Sequence, residues 1–259
     1  MAVHRYNTCF AICTADKEWF LTDAGGGNGI FQRLEQGGIS YQNLHYMFVT
    51  HGHTDHIMGV IWIMRKIASL IQAGAYTGQF HIFCHDEVKH MLLTMAGLMF
   101  KKSDTACIGK GICIHDMKDG DRVSFLGLTL TAFDIGSTKA KQFGYELTFP
   151  DGMRLTCLGD EPYNARCRIY AEGTDWLLAE AFCLYAHRNI FHPYEKNHST
   201  VKDAAEIAAA LGAGHLVLYH TEEKTGDGRK RQYTAEAKQY YEGPVYVPED
   251  MERIVLDRS

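Results

Sequence analysis

The chain has 259 residues, 46% of them hydrophobic, and a formal net charge of −5. That is enough apolar material to bury one large core, so residues 1–259 are expected to form one domain. The negative balance excludes a global positive field that would gather long nucleic acid, and the longest apolar run, Ile57 to Ile71, is broken by Arg65 and Lys66 and falls short of the roughly 18 residues a membrane span needs.

The start, Met1-Ala2-Val3-His4-Arg5-Tyr6-Asn7, lacks the basic, apolar and small-residue order of a secretory signal, and a cytoplasmic location is the expectation. The eight cysteines form no Cys-x-x-Cys pair and read as small buried hydrophobes in a reducing compartment.

In chain order, Thr8 to Thr14 and Trp19 to Asp23 read as strands, and Gly29 to Gln36 as a helix after a glycine turn. His45 to Thr50 is a further strand, and Met58 to Ile71 carries apolar residues at helical spacing. Phe80 to Cys84 and Glu87 to Phe100 repeat the strand-then-helix order. From Arg122 to Cys157 the pattern changes to short β-rich stretches divided by Gly127, Gly136 and Asp151-Gly152, which predicts hairpins of a second sheet. Trp176 to Glu180, a helix over Thr200 to Leu211 with a Thr200/Asp203 capping box, and a strand over His215 to Tyr219 restore the alternation. Periodicity alone supports a mixed α/β protein.

The chemistry-bearing feature is Thr50-His51-Gly52-His53-Thr54-Asp55-His56, three imidazoles and a carboxylate between a strand and a helix. Imidazole nitrogens and carboxylate oxygens at this spacing suit zinc, iron or manganese, whereas a His-rich polar loop would have no reason to stand at a sheet edge. Gly25 to Gly27 match neither a dinucleotide fingerprint nor a Walker loop, and no Gly-x-Ser-x-Gly elbow is present.

These residues resemble the His-x-His-x-Asp-His signature of the metallo-β-lactamase superfamily. Phe20 to Gly27 is similar to that family's opening strand and glycine turn, Leu158-Gly159-Asp160 to its bridging aspartate, and Leu216 to His220 to its last ligand histidine. The resemblance implies a four-layer αββα sandwich, two mixed β-sheets flanked by helices. It also implies one or two Zn2+ ions per chain, with Fe or Mn as alternatives. His51 and His53 would hold the first, Asp55, His56 and His220 the second, and Asp160 both. A metal-bound hydroxide would then carry out hydrolysis. Asp55 reads as ligand, as proton acceptor for the water, or as both.

Ala179-Glu180-Ala181-Phe182 and His198-Ser199-Thr200 are similar to segments of the ribonuclease Z branch, which implies His198 as general acid and Glu180 as its partner. The stretch His187 to Asn197 reads either as a loop over the site or as a plain surface connection. One departure stands out. Where the family places a further ligand histidine, this chain has Gly136, with Asp134 as a substitute oxygen ligand, and a weakened first metal position is expected.

The leading expectation is a phosphodiesterase of ribonuclease Z type acting on a small or short phosphodiester. A thioester or lactam hydrolase of the same fold and a metal-binding sensor weakened by Gly136 are the alternatives. Transfer RNA is not favoured, because only a compact hairpin lies between Tyr145 and Asp160 where a gripping arm would be inserted. No membrane partner is expected, and a homodimer stays open.

Overall fold

Twelve strands fall into two sheets in the computed structural model, which describes residues 3–258. By chain contacts it divides into two compact units. The first contains Tyr6–Lys118 and Ala140–Gln142, and the second contains the segment ending at Arg5, Asp119–Lys139 and the segment from Phe143 on.

The first unit is built on β1 (Phe10–Cys13), β2 (Trp19–Thr22), β3 (Leu44–Val49), β4 (Phe80–Cys84) and β5 (Ile112–Asp116), hydrogen-bonded in that order. β1 and β2 are antiparallel and the remaining pairs parallel, as expected when helices carry the chain between strands. Those helices are α1 (Gly29–Gln36), α2 (Thr54–Gln72) and α3 (Asp86–Met99), followed by the single turn α4 (Lys102–Thr105). Val60, Ile63, Met64 and Ile67 on α2 are fully buried with Met47, Val49 and Ile82 of the sheet. Each such side chain contributes roughly 1.5–3 kcal/mol of burial. Gly59 makes the seating possible: its N–H donates to Gly25 O at 2.8 Å, and a Cβ there would collide with the Ala24 backbone.

The second unit holds β6 (Arg122–Phe125), β7 (Leu128–Asp134), β8 (Phe143–Thr148), β9 (Arg154–Cys157), β10 (Trp176–Glu180), β11 (His215–Tyr219) and β12 (Val245–Tyr246). β6 to β9 form an antiparallel meander, and β9 to β12 pair in parallel. Its helices are the single turns α5 (Arg168–Ala171) and α6 (Arg188–Phe191), then α7 (Val201–Leu211) and α8 (Arg229–Ala237). Every residue of β10 is buried, which is the mark of a central parallel strand. The capping box of α7 is formed: Thr200 Oγ1 accepts from Asp203 N while the Asp203 carboxylate accepts from Thr200 N.

Several elements differ from expectation. The helix expected from Met58 begins at Thr54, so Asp55 and His56 stand on the first turn of α2. There the positive end of the helix dipole faces a carboxylate. β5, β12, α8 and the single turns α4, α5 and α6 were not predicted. In α8 only Arg229, Tyr233 and Ala237 are buried, too few apolar positions to show a period. Arg229 is a buried cation with partners inside the fold. It is 3% exposed, donates to Thr221 Oγ1 and Pro248 O, and pairs with Glu249.

All eight cysteines are free thiols and five are buried. No helix among the described residues is long and apolar enough to cross a membrane.

His81 and His115 form a half-buried stacked pair in the first unit, with His81 Nδ1 2.9 Å from His115 Nε2. Burial lowers the pKa of both below the ordinary 6.5, and His115 further lowers that of His81. Because the folded value is the lower one, the stability these rings contribute is present above 6.5 and is lost as pH falls below it. Replacing both by Phe is expected to flatten the acid side of the stability curve. Urea midpoints from about pH 7 to about pH 5 test this, and identical slopes for parent and variant would count against it.

Candidate metal and acid–base site

In the first unit β3 delivers Thr50 and the following histidines beside the end of β2, where Asp23 stands 3% exposed in a left-handed conformation (φ 54°). Asp23 ties this corner together. Its Oδ1 accepts from Thr50 N at 2.8 Å, and its Oδ2 accepts from Thr50 Oγ1 at 2.7 Å and from His56 Nδ1 at 2.8 Å. The Thr50 hydroxyl proton is thereby committed to Asp23, so Thr50 Oγ1 accepts the proton of His51 Nδ1 at 2.9 Å. The buried Gln142 side chain lies 3.1 Å from the same nitrogen through its amide Nε2; amide oxygen and nitrogen exchange places by a flip, and a protonated Nδ1 requires Oε1 on that side as acceptor.

The consequence is tautomeric. With Nδ1 protonated on both His51 and His56, each ring presents Nε2 as a lone-pair donor. His51 Nε2 meets His53 Nδ1 at 2.8 Å, and His56 Nε2 lies 3.9 Å from Asp55 Oδ2. The His51 and His56 ring centroids are 4.2 Å apart. A cation between such nitrogens takes the place of the proton they share, and this set of imidazoles and a carboxylate fits a divalent first-row metal.

In the second unit the chemistry collects at the ends of β9, β10 and β11. His220, directly after β11, is left-handed (φ 53°) and brings Nε2 to 3.4 Å from Asp160 Oδ2. His198 stacks on His220 with 5.3 Å between centroids, and on Phe182 at 4.9 Å. Its Nδ1 lies 3.1 Å from the Asp160 carbonyl and 3.7 Å from Glu180 Oε2. A carbonyl only accepts, so Nδ1 carries the proton and Nε2 remains to exchange one with a ligand.

Glu180 is 2% exposed. Burial pushes its carboxyl above the ordinary range, while the hydrogen bond and charge of His198 and the Ser199 N–H work in the opposite direction. Glu180, His198 and His220 each offer a ligand atom, all within 4.8 Å of one another. The His187 to Asn197 stretch forms short turns that frame His198. Pro193 O accepts from its N–H, and Phe191 packs edge-on against Phe182.

Gly136 ends a tight turn after β7 at φ 73°, and its N–H donates to Asp134 Oδ1 at 2.7 Å. That commits one oxygen of the substitute donor to the turn. Sequence reasoning missed Asp23, Thr50 and Gln142 as orienting groups. The available signal for Asp23 was a carboxylate closing a strand that pairs with the ligand-bearing one, Thr22 opposite Phe48.

Residues 18–221 match the family model described as "Beta-lactamase superfamily domain". A ribonuclease Z of Pyrobaculum neutrophilum is 25% identical over 92% of this chain and 88% of its own length. Among solved structures, the metallo-β-lactamase fold protein YhfI of Bacillus subtilis aligns with TM-score 0.76 at 17% identity, covering 96% of this chain and 92% of that one. The short form of human tRNase Z aligns with TM-score 0.74 at 17% identity, covering 97% and 93%.

Proposed function

The chain belongs to the β-lactamase superfamily, in its metallo-β-lactamase fold, and from that premise we propose a metal-dependent phosphodiesterase of ribonuclease Z type. His51, His53, Asp55, His56, Asp160 and His220 would hold divalent metal, with Zn2+ the best match to a set of nitrogens and carboxylate oxygens. Metal bound there supplies Lewis acidity and lowers the pKa of water near it.

The observation that carries the reading is His198, whose Nδ1 is anchored to the Asp160 carbonyl at 3.1 Å while the Asp160 carboxylate engages His220 at 3.4 Å. This puts a proton donor beside a ligand pair. In a phosphodiester displacement His198 Nε2 gives its proton to the leaving oxygen, and Glu180, 3.7 Å from Nδ1, stabilises the charged ring before the transfer. Asp23 fixes the tautomers of His51 and His56, and Asp55, on the first turn of α2, acts as ligand and as proton acceptor for the attacking water.

The substrate is an RNA or other short phosphodiester. β8 and β9 are joined by a tight turn at Phe149 to Met153 with no projecting arm, and the favoured substrate is accordingly smaller than a folded transfer RNA. Gly136 favours one second reading, a metal-binding sensor with lapsed turnover.

A panel of chromogenic phosphodiesters, thioesters and lactams, run beside elemental analysis of metal per chain, decides between them. We expect chelator-sensitive turnover of bis(p-nitrophenyl) phosphate and none of the thioester. Thioester turnover alone would remove the phosphodiesterase reading, and bound metal with no turnover of any member would leave the sensor.

A further inference from the structure

We propose that Arg166 is a phosphate-binding residue of this site, seated where the family's further histidine would stand; the inference rests on the phosphodiesterase reading above. Gly136 supplies the seat. A Cβ built at Gly136 would stand 2.8 Å from Arg166 Cδ, 2.9 Å from its Nη1 and 3.0 Å from Asn164 Nδ2. Absence of a side chain at 136 is therefore what lets the guanidinium lie against this turn. The φ of 73° adds a second reason for glycine.

The turn belongs to the acid–base corner of the second unit. Ser137 Oγ, next to Gly136, donates to Glu161 Oε1 at 2.7 Å, and Glu161 directly follows Asp160. Arg166 itself stands on the helical turn Ala165–Cys167 that ends the Asp160 loop, and Asn164 caps that turn by accepting from the Arg166 backbone N–H. Both ends of the contact are thus tied to the Asp160 segment by short chain connections.

The guanidinium is exposed, and no hydrogen bond or ion pair engages it among the described residues. Three other arginines of the same unit are committed: Arg154 to Glu146, Arg168 to Glu172, and Arg229 to Glu249. In a chain of net charge −5, a planar guanidinium that makes no ion pair and lies against this turn is matched to the paired oxygens of a phosphate. Where a ligand imidazole would have served a metal, this chain instead places positive charge that addresses the substrate directly.

The test is fluorescence anisotropy of a fluorescein-labelled hexauridylate titrated with the protein as isolated, over a range of salt. Arg166→Ala is expected to weaken binding about tenfold and to reduce the slope of log affinity against log salt by about 0.7, the loss of one single-strand phosphate contact. Arg166→Lys should keep the slope and recover part of the affinity. Arg168→Ala, which removes a cation already paired to Glu172, should match the parent.

An unchanged slope in Arg166→Ala, an equal loss in Arg168→Ala, or no binding by the parent would each overturn the proposal. Arg166-dependent binding by a parent that cleaves no phosphodiester leaves the phosphate site standing and removes the catalytic reading instead. The two failures are therefore distinguishable.

Discussion

His198→Ala is expected to lower turnover of a ribonucleoside phosphodiester by about 10²–10⁴-fold with metal content per chain unchanged. The size follows from the leaving group. An alkoxide departs poorly without a proton, and His198 Nε2 is the nitrogen left available once Nδ1 is held by the Asp160 carbonyl. A p-nitrophenolate leaving group stabilises its own charge, so on that ester the same variant should lose less than about tenfold. A merely structural His198 would depress both substrates equally. A metal-ligating His198, which its proximity to Glu180 and His220 also permits, would lose metal. Measuring kcat on the two esters and metal per chain therefore separates three roles with one variant, and equal loss on both esters would end the general-acid assignment.

Much of this corner was legible in the sequence because its parts are local. Thr50 to His56 are contiguous, and the strand before them and the helix after them are both strongly patterned. β4 and β11 carry apolar runs bounded by turn residues, and they formed at the expected limits, Phe80–Cys84 and His215–Tyr219. The start of α2 was not legible because Thr54, Asp55 and His56 carry no helical apolar period, and their helicity follows from His53 as cap and from backbone hydrogen bonds such as Ile57 N to His53 O. β5 was lost for a related reason: Ile112-Cys113-Ile114 is short, and the polar His115-Asp116 completes the strand only through parallel pairing with β4.

The orienting shell was invisible for a different reason. Asp23 lies 27 residues from Thr50 and Gln142 lies 91 from His51, and spacing of that kind has no period to detect. The match of residues 18–221 to the β-lactamase superfamily agrees with the resemblance read from the motifs. What it cannot supply is which of this chain's own residues hold the histidines, and Gly136 with Arg166 is a local arrangement of the same kind.

Asp23→Asn is the sharpest test of that shell, because it changes no volume and leaves one acceptor in place. Asn Oδ1 can still accept from Thr50 N, but its Nδ2 then faces the Thr50 hydroxyl proton and the His56 Nδ1 proton, two donors against a donor. Each buried group left unsatisfied costs about 1–3 kcal/mol. The escape open to His56 is to move its proton to Nε2, where it would block the nitrogen meant for metal. His51 follows, since a Thr50 hydroxyl released from Asp23 no longer has to accept from its Nδ1. One substitution thus disturbs two ligands, and metal affinity should fall by about 10–100-fold, read by competition with a chromophoric chelator. Long-range ¹H–¹⁵N spectra of the metal-free protein should show the two rings leaving the Nδ1-protonated form, whereas a variant that keeps both tautomers and the parent's affinity would show that Asp23 supports only the backbone turn.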